Sequence, residues 1–134
     1  MKPEIEAKFL EIDHKQFRKI LKSKGARLVN PNRLLRRKNF DYPDKRMNET
    51  NGWVRVRDEG DKVTLAYKQL DHRGLDGTKE VSVVVNSFKE TCLLLESIGL
   101  ERKSYQETKR ESWKLGDVEV ELDEWPWVPG FVEI

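Results

Sequence analysis

Residues 4–8 read Glu-Ile-Glu-Ala-Lys, with charged side chains at positions 4, 6 and 8 and apolar residues between them. Successive side chains of an extended strand point to opposite faces, so this stretch predicts one ionised face and one apolar face. Glu4 and Glu6 would lie roughly 7 Å apart on the ionised face and would repel each other. Lys8 supplies part of the compensating charge, and a divalent cation would supply it better. The alternative is an ordinary solvated face.

The same alternation recurs along the chain, with the charges sorted by sign. Arg55 and Arg57 alternate with valines, and Lys68 ends a second alternating run that begins at Thr64. Like charges on neighbouring sheet positions destabilise a sheet, so ordinary solvent faces mix the two signs. Sorted charge therefore indicates a site that holds cations and polyanions together. The acidic residues of the alternating runs are Glu80, Glu119, Glu121 and Asp123.

Length and composition predict one folded domain over residues 1–134. Charged residues make up 37% of the chain, yet the net charge is only +2. The apolar residues are periodic, which favours a folded domain over disorder. So many carboxylates also argue against a surface for a nucleic-acid polymer.

The chain shows no sequence signal for secretion, a membrane span or a cysteine-based site. Cys92 is the only cysteine, which excludes an internal disulfide and predicts a core position for this side chain. No stretch approaches the ~18 apolar residues of a membrane span, and the N-terminus lacks the apolar region of a signal peptide. We therefore expect a cytoplasmic protein. We also expect it to be a monomer or homodimer.

Two helices have clear start and stop signals. Asp13 reads as the N-cap of the first helix, and Gly25 as its end. Ser87 reads as the N-cap of the second, with Glu90 three residues later completing a capping box, and Gly99 ends it.

The remaining periodic segments predict strands with tight turns between them. Such strands favour an antiparallel sheet, and closure into an eight-stranded barrel would remove its edges. The two helices would cover apolar outer faces, so charged residues would line the lumen of an α+β fold. The prolines in residues 125–130 predict a rigid connection there, because proline cannot join a central ladder. The predicted strands are 3–11, 33–42, 52–59, 62–70, 78–85, 102–115, 117–124 and 131–134.

The motifs resemble those of the CYTH superfamily, the triphosphate tunnel metalloenzymes. This group includes class IV adenylyl cyclases, thiamine triphosphatases and inorganic tripolyphosphatases. Glu4-x-Glu6-x-Lys8 is similar to the N-terminal signature, and Val54-Arg55-Val56-Arg57 to the paired-arginine strand. The further matches, in family order, are Asn39 to Pro43, Thr64 to Lys68, Lys109 to Trp113, Glu121 to Asp123 and Gly130 to Ile134.

The resemblance implies a tunnel that binds a triphosphate and Mg²⁺ or Mn²⁺. The implied catalytic residues are Lys8, Glu4 and Glu6, and the implied metal ligands are Glu4, Glu6, Glu121, Asp123 and Glu133. The implied substrate-binding residues are Lys8, Arg55, Arg57, Lys68, Lys109 and Arg110. Arg37, Glu80 and Glu119 are expected in the lumen without an assigned role.

Two departures from the family pattern bear on activity. Thr108 stands where the family often has a lysine, and the chain stops at Ile134, where the family usually continues into a closing helix. We therefore expect a CYTH-like domain shortened at its C-terminal end.

The expected function is metal-dependent hydrolysis of a triphosphate: tripolyphosphate, ATP or thiamine triphosphate. One alternative is a class IV adenylyl cyclase that makes cyclic AMP from ATP. Another is a module that binds polyphosphate or nucleotide without turnover. Tyr42, Trp53 and Trp127 are candidates for stacking on a base.

Overall fold

The computed structural model describes residues 1–134, which form nine strands and three helices. The helices are α1 (His14–Ser23), α2 (Arg46–Glu49) and α3 (Phe88–Ser97). The strands are β1 (Lys2–Glu4), β2 (Lys8–Phe9), β3 (Arg27–Asp41), β4 (Gly52–Asp58), β5 (Val63–Leu70), β6 (Thr78–Val85), β7 (Glu101–Leu115), β8 (Val118–Trp125) and β9 (Val128–Glu133). None of the helices has the length and apolarity that crossing a membrane requires.

The predicted α+β class with antiparallel strands is confirmed, with nine strands where eight were expected. The extra strand arises because the predicted segment 3–11 forms two short strands. β1 pairs with β6 through Lys2 and Glu80, whereas β2 pairs with β9 through Lys8 and Glu133. Because the two pieces have different partners, a single continuous strand was the wrong prediction.

Both predicted helix starts are confirmed by their caps. The Asp13 carboxylate accepts hydrogen bonds from the backbone N–H groups of Lys15 and Gln16, at 2.9 and 3.3 Å. The Ser87 hydroxyl accepts from the N–H of Glu90 at 3.0 Å. These bonds satisfy donors that the first turn of a helix leaves without partners.

Helix α2 was not predicted, because its cap comes from a distant residue. Its N-cap position, Lys45, has a left-handed backbone and makes no side-chain cap bond. The Asp41 carboxylate accepts instead from the N–H groups of Tyr42, Met47 and Asn48, at 2.6, 3.1 and 3.0 Å. Asp41 is thereby committed to holding this turn in place.

Two further boundaries differ from the prediction. β3 starts at Arg27 and includes Pro31, a residue that argues against a strand because it lacks the N–H of a ladder. β9 starts at Val128 and includes Pro129, so the connection after Trp125 is shorter than expected. A register shift between Asp123 and Trp125 lies beside this proline, and proline is tolerated at such irregularities.

The chain divides into two compact units. Unit 1 comprises residues 1–5 and 36–106, and unit 2 comprises residues 6–35 and 107–134. In unit 1 the strand order is β1-β6-β5-β4-β3, and in unit 2 it is β7-β8-β9-β2. β3 and β7 each contribute residues to both units.

Each unit has an apolar core that one helix covers. In unit 1, Cys92 and Leu95 of α3 pack with Phe40 and Val56, which are fully buried. In unit 2, Leu21 of α1 joins a second cluster. The predicted placement of the helices on apolar strand faces, and of Cys92 in a core, is confirmed. The buried residues of the unit 2 core are Leu21, Trp113, Val120, Leu122 and Val132.

Candidate functional site

In unit 1 the strand period separates a polar face from the apolar core. Val56 of β4 packs in the core, and its neighbours Arg55 and Arg57 lie on the opposite face. Cross-strand register extends this face, since Arg55 pairs with Ala66 and Lys68 pairs with Glu80. We call Glu4, Arg55, Arg57, Lys68 and Glu80 the unit 1 cluster.

Short ion pairs connect opposite charges of the unit 1 cluster. Lys68 Nζ lies 3.2 Å from Glu4 Oε2, and Arg55 Nη2 lies 3.4 Å from Glu80 Oε1. Arg57 Nη2 contacts a third carboxylate, Glu59, at 3.3 Å. Both signs are therefore held together on one face of unit 1.

The two arginines keep donors that no protein group accepts. The Nε atoms of Arg55 and Arg57 are buried and make no hydrogen bond. Burial, reinforced by the positive charge of Arg57, lowers the pKa of Arg55 to about 10. A buried guanidinium with an unused N–H is unfavourable unless an anion completes its hydrogen bonds.

The two carboxylates of the cluster share a hydrogen bond and titrate in opposite directions. Burial and the hydrogen bond with Glu4 raise the pKa of Glu80. Burial opposes ionisation of Glu4, but its hydrogen bond to Glu80 and the charge of Lys68 outweigh burial and lower its pKa. Paired oxygens of this kind are ligands that Mg²⁺ and Mn²⁺ accept.

In unit 2 the guanidinium of Arg110 is surrounded by carboxylates. Its Nε and Nη2 donate to the two oxygens of Asp123 at 2.7 and 2.9 Å. Glu121 lies 3.8 Å from Nε, and Glu133 lies 3.9 Å from Nη2. Lys8 Nζ lies 3.9 Å from Glu133, and we call these five residues the unit 2 cluster.

Register explains why the unit 2 cluster forms. Arg110 pairs with Asp123 across β7 and β8, and Glu121 pairs with Glu133 across β8 and β9. Asp123 is only 2% exposed, so its bidentate bond to Arg110 is shielded from water. Arg110 thus supplies the positive charge that pairs most closely with the buried Asp123.

The titration of the unit 2 cluster reflects burial and ion pairing. Burial raises the pKa of Glu121, with a further contribution from the charge of Asp123. Burial opposes the charge of Arg110, but the hydrogen bonds and charge of Asp123 outweigh it and raise the arginine's pKa.

Four of the predicted residues are not members of the two clusters defined above. Lys109 is exposed and alternates with Arg110 along β7, so the two side chains lie on opposite faces. Glu119 is exposed near the start of β8. Glu6 is half-buried between β1 and β2, and Arg37 is buried in β3 opposite Arg57.

Several residues of the polar faces were missed by sequence reasoning. Glu59 accepts from Arg57, and also from the Thr64 hydroxyl at 3.4 Å; it ends the predicted strand 52–59, two residues after Arg57. Ser112 donates to Glu121 and accepts from Arg33 Nη1 at 3.1 Å. Ser112 follows Arg110 by two residues, so strand alternation alone could have predicted that the two side chains share a face.

The comparisons with known proteins identify one family and one fold. The CYTH domain family matches residues 2–134 of the chain. A search of curated proteins finds no match.

Three solved structures illustrate the shared fold. The PH1012 protein from Pyrococcus horikoshii OT3 is 19% identical, with a TM-score of 0.80 over 97% of this chain and 76% of its own. A proposed adenylate cyclase from Vibrio parahaemolyticus is 15% identical, with a TM-score of 0.83 over 98% of this chain and 75% of its own. The third is HpAC1 from Hippeastrum, a proposed adenylyl cyclase with a dominant triphosphatase activity. It is 14% identical, with a TM-score of 0.69 over 97% of this chain and 78% of its own.

The likeness to these structures extends across nearly the whole chain, and the motif resemblance is confirmed. Since the family match also spans residues 2–134, the chain belongs to the CYTH family.

Proposed function

We propose that this protein is a divalent-metal-dependent phosphohydrolase that acts on tripolyphosphate or an organic triphosphate. The observation that carries the proposal is the pair of buried Nε donors on Arg55 and Arg57 that no protein atom accepts. Leaving such donors unsatisfied is costly, so they favour a bound polyanion. Lys68, on the neighbouring strand of the same face, adds a third cation.

The number and type of the cations favour an extended phosphate chain. Arg55 and Arg57 are two residues apart on β4, which separates them by roughly 7 Å along the strand. Arginine forks bind phosphate oxygens in pairs, while lysine contributes a point charge. A chain of phosphates can meet all three side chains, whereas one phosphate would leave part of the row without an anion.

The donor chemistry of the acidic residues fits a hard divalent cation. No group of three or more histidine, cysteine, aspartate or glutamate side chains is arranged as a ready metal site. Mg²⁺ does not need one, because it is usually bound by one or two carboxylates together with substrate phosphates. We propose Glu4 as a ligand in unit 1, and Glu121 and Glu133 as candidate ligands in unit 2, where both oxygens of Asp123 already accept from Arg110. When bound, the metal supplies charge neutralisation at phosphate oxygens.

The side chains of unit 1 would act by binding and orientation. Arg55, Arg57 and Lys68 hold the phosphate chain so that a water oxygen bonds to the terminal phosphorus as the bond to the leaving diphosphate breaks. Glu6 and Lys8 remain predicted catalytic residues on the strength of the family motif.

In the alternative cyclase, the 3′-hydroxyl of ATP attacks the α-phosphorus and pyrophosphate leaves. The dominant triphosphatase activity of the structural neighbour HpAC1 supports the hydrolase.

The first test is phosphate release from tripolyphosphate, ATP and thiamine triphosphate, each with Mg²⁺, with Mn²⁺ and with a chelator. We expect metal-dependent turnover, and a loss of kcat/KM of ~100-fold or more in Arg57→Ala, because charged donors at a phosphoryl group contribute on this scale. Arg36→Ala is the matched control, since Arg36 is an exposed arginine that pairs with Asp58. It should retain activity.

We expect Glu6→Gln to lose turnover as well, with a thermal midpoint within a few degrees of the wild type.

Each alternative gives a different result in the same assay. Cyclic AMP formed from ATP would establish the cyclase. Binding of tripolyphosphate without phosphate release under any metal condition would establish a non-catalytic module. Equal activity of Arg57→Ala and Arg36→Ala would contradict the proposed role of the unit 1 cluster.

A further inference from the structure

A tryptophan at the tip of a hairpin in unit 2 is fully exposed to solvent. Pro126 and Trp127 form the two-residue turn between β8 and β9, where Trp125 pairs with Val128. The Trp127 side chain is 101% exposed. Its φ angle of +67° lies in the left-handed region, which glycine adopts readily and a bulky residue avoids. Neither packing nor backbone preference therefore explains a tryptophan at this position.

The hairpin tip lies close to the start of helix α1. The backbone oxygen of Gly130 accepts a hydrogen bond from the Ile12 N–H at 2.9 Å, and a Cβ atom at Gly130 would lie only 3.1 Å from the His14 ring. Trp127 is three residues from Gly130, roughly 10 Å along the strand. Leu10, two residues before Ile12, is 67% exposed. Two large apolar side chains are thus exposed to water near the same end of the helix.

Helix α1 carries a stripe of lysines without neighbouring carboxylates. Lys15, Lys19 and Lys22 are spaced by four and three residues, so they lie on one side of the helix, and all three are exposed. No residue from 14 to 40 is acidic, and the Asp13 carboxylate is committed to the α1 cap. Like charges at this spacing, and a lysine in the first turn, destabilise a helix. An anionic surface against the stripe would remove this repulsion.

The combination of side chains favours a lipid surface as the anionic partner. Lysines beside exposed indole and aliphatic groups match a layer of anionic headgroups above hydrocarbon, and tryptophan is favoured at that boundary. A nucleic acid would attract the lysines too, but its phosphates and bases give no reason for exposing Leu10 and Val128. Leu21 packs the apolar face of α1 on the unit 2 core, so only the hairpin tip and Leu10 are available to enter lipid. We call these residues the α1 patch: Leu10, Lys15, Lys19, Lys22, Trp127 and Val128.

We propose that the α1 patch binds the surface of a membrane that contains anionic phospholipids. The lysines of α1 lie against the headgroups, while Trp127 and Leu10 enter the boundary between headgroups and acyl chains. No residue of the patch belongs to the unit 1 cluster or the unit 2 cluster. The inference is therefore independent of the proposed function.

Co-sedimentation with lipid vesicles tests the proposal. We expect the wild type to bind vesicles of phosphatidylserine and phosphatidylcholine in equal parts, and not vesicles of phosphatidylcholine alone. Binding should weaken in high salt, because counterions screen the attraction between lysines and headgroups. Tryptophan fluorescence should shift to shorter wavelength on binding, since Trp127 leaves water whereas the other tryptophans are already buried or half-buried.

Two variants separate the apolar contribution from the charged one. Trp127→Gly removes the indole and suits the left-handed backbone, so it should fold at least as well as the wild type. We expect it to weaken vesicle binding ~10-fold or more, the scale of burying one large apolar side chain, and to abolish the fluorescence shift. Lys19→Gln should weaken binding about fivefold, because each basic residue near an anionic surface contributes on this scale. Leu75→Gly and Lys89→Gln change an exposed leucine and an exposed lysine of unit 1, so these matched controls should bind like the wild type.

Three vesicle results would overturn the inference: no binding to the mixed vesicles, equal binding to phosphatidylcholine alone, or variants that bind as tightly as their controls. Two further measurements address rival partners. Single-stranded RNA that is bound without any vesicle binding, and lost in Trp127→Gly and Lys19→Gln, would assign the patch to a nucleic acid instead. A dimer in sedimentation velocity that Trp127→Gly dissociates would place Trp127 in an interface between two copies of this chain, and would equally overturn the inference.

Discussion

Two buried arginines of this protein have opposite surroundings. Arg55 is short of acceptors, and burial lowers its pKa to about 10. Arg110 donates to both oxygens of Asp123 and lies near two more carboxylates, so its pKa is raised despite burial. The first environment lacks acceptors, whereas the second pairs the guanidinium with the buried carboxylate of Asp123.

Removing Arg110 should therefore destabilise the protein unless its partner is neutralised as well. We expect Arg110→Met to lower the free energy of unfolding by ~3–5 kcal/mol, because it leaves the buried Asp123 without its cation. The double variant with Asp123→Asn should regain a large part of that loss. Urea unfolding of both single variants and the double variant measures the coupling. A double variant no more stable than Arg110→Met would show that the ion pair is not the source of the effect.

At the scale of elements, helix α1 is fastened to unit 2 by a buried carboxylate. Glu111 of β7 accepts from Arg18 Nε of α1 and from Trp113 Nε1, each at 2.7 Å. His14, at the start of α1, contacts the backbone oxygen of Phe131 at 2.9 Å. The helix is thus tied to two strands as well as packed on the apolar core.

The charge of Glu111 should make stability depend on pH. Burial opposes its ionisation, but the hydrogen bonds from Trp113 and Arg18 prevail and lower its pKa below the ordinary 4.5. The stabilisation is therefore complete above pH 4.5 and is lost as pH falls through the lower folded-state pKa. We expect Glu111→Gln to cost ~1–2 kcal/mol at pH 7 and progressively less below pH 4.5.

Denaturant unfolding between pH 3 and 7 measures this difference. Glu124→Gln, at an exposed position of the neighbouring strand, is the control and should change stability little at any pH in this range. If Glu111→Gln lowers the free energy of unfolding by the same amount down to pH 3, the ionised Glu111 carboxylate is not the source of the stabilisation.

At the scale of the whole molecule, ligand binding should add to stability. A ligand at about 100 times its Kd stabilises the state that binds it by ~2.7 kcal/mol, which is several degrees in the thermal midpoint of a chain of this size. Tripolyphosphate with Mg²⁺ should therefore raise the midpoint of the wild type and of Arg36→Ala. It should raise that of Arg57→Ala much less.

Differential scanning fluorimetry at low and high salt tests this prediction. The shift should shrink in high salt because counterions screen the attraction between phosphate and guanidinium groups. A shift in Arg57→Ala as large as that of the wild type would place the binding outside the unit 1 cluster.

Local patterns in the sequence predicted the features that depend only on neighbouring residues, namely the strand faces and the helix starts. The period of two in Val54-Arg55-Val56-Arg57 sets which side chains share a face, because successive residues of a strand point to opposite sides. The N-caps Asp13 and Ser87 act within three residues of themselves, so both helix starts were predictable. The family motifs and the antiparallel α+β class follow from the same alternating segments.

Tertiary structure decided which groups meet and which atoms lose contact with water. Arg110 holds Asp123 because strand register brings these distant residues together. Asp41 caps helix α2 through Met47 and Asn48, and Asn39 Oδ1 is left without a donor. Hydrogen bonds and pKa values depend on these non-local neighbours and on burial. The sequence by itself therefore determined the charged faces, whereas only the fold decided which charges are paired inside the protein and which buried donors have no acceptor in it.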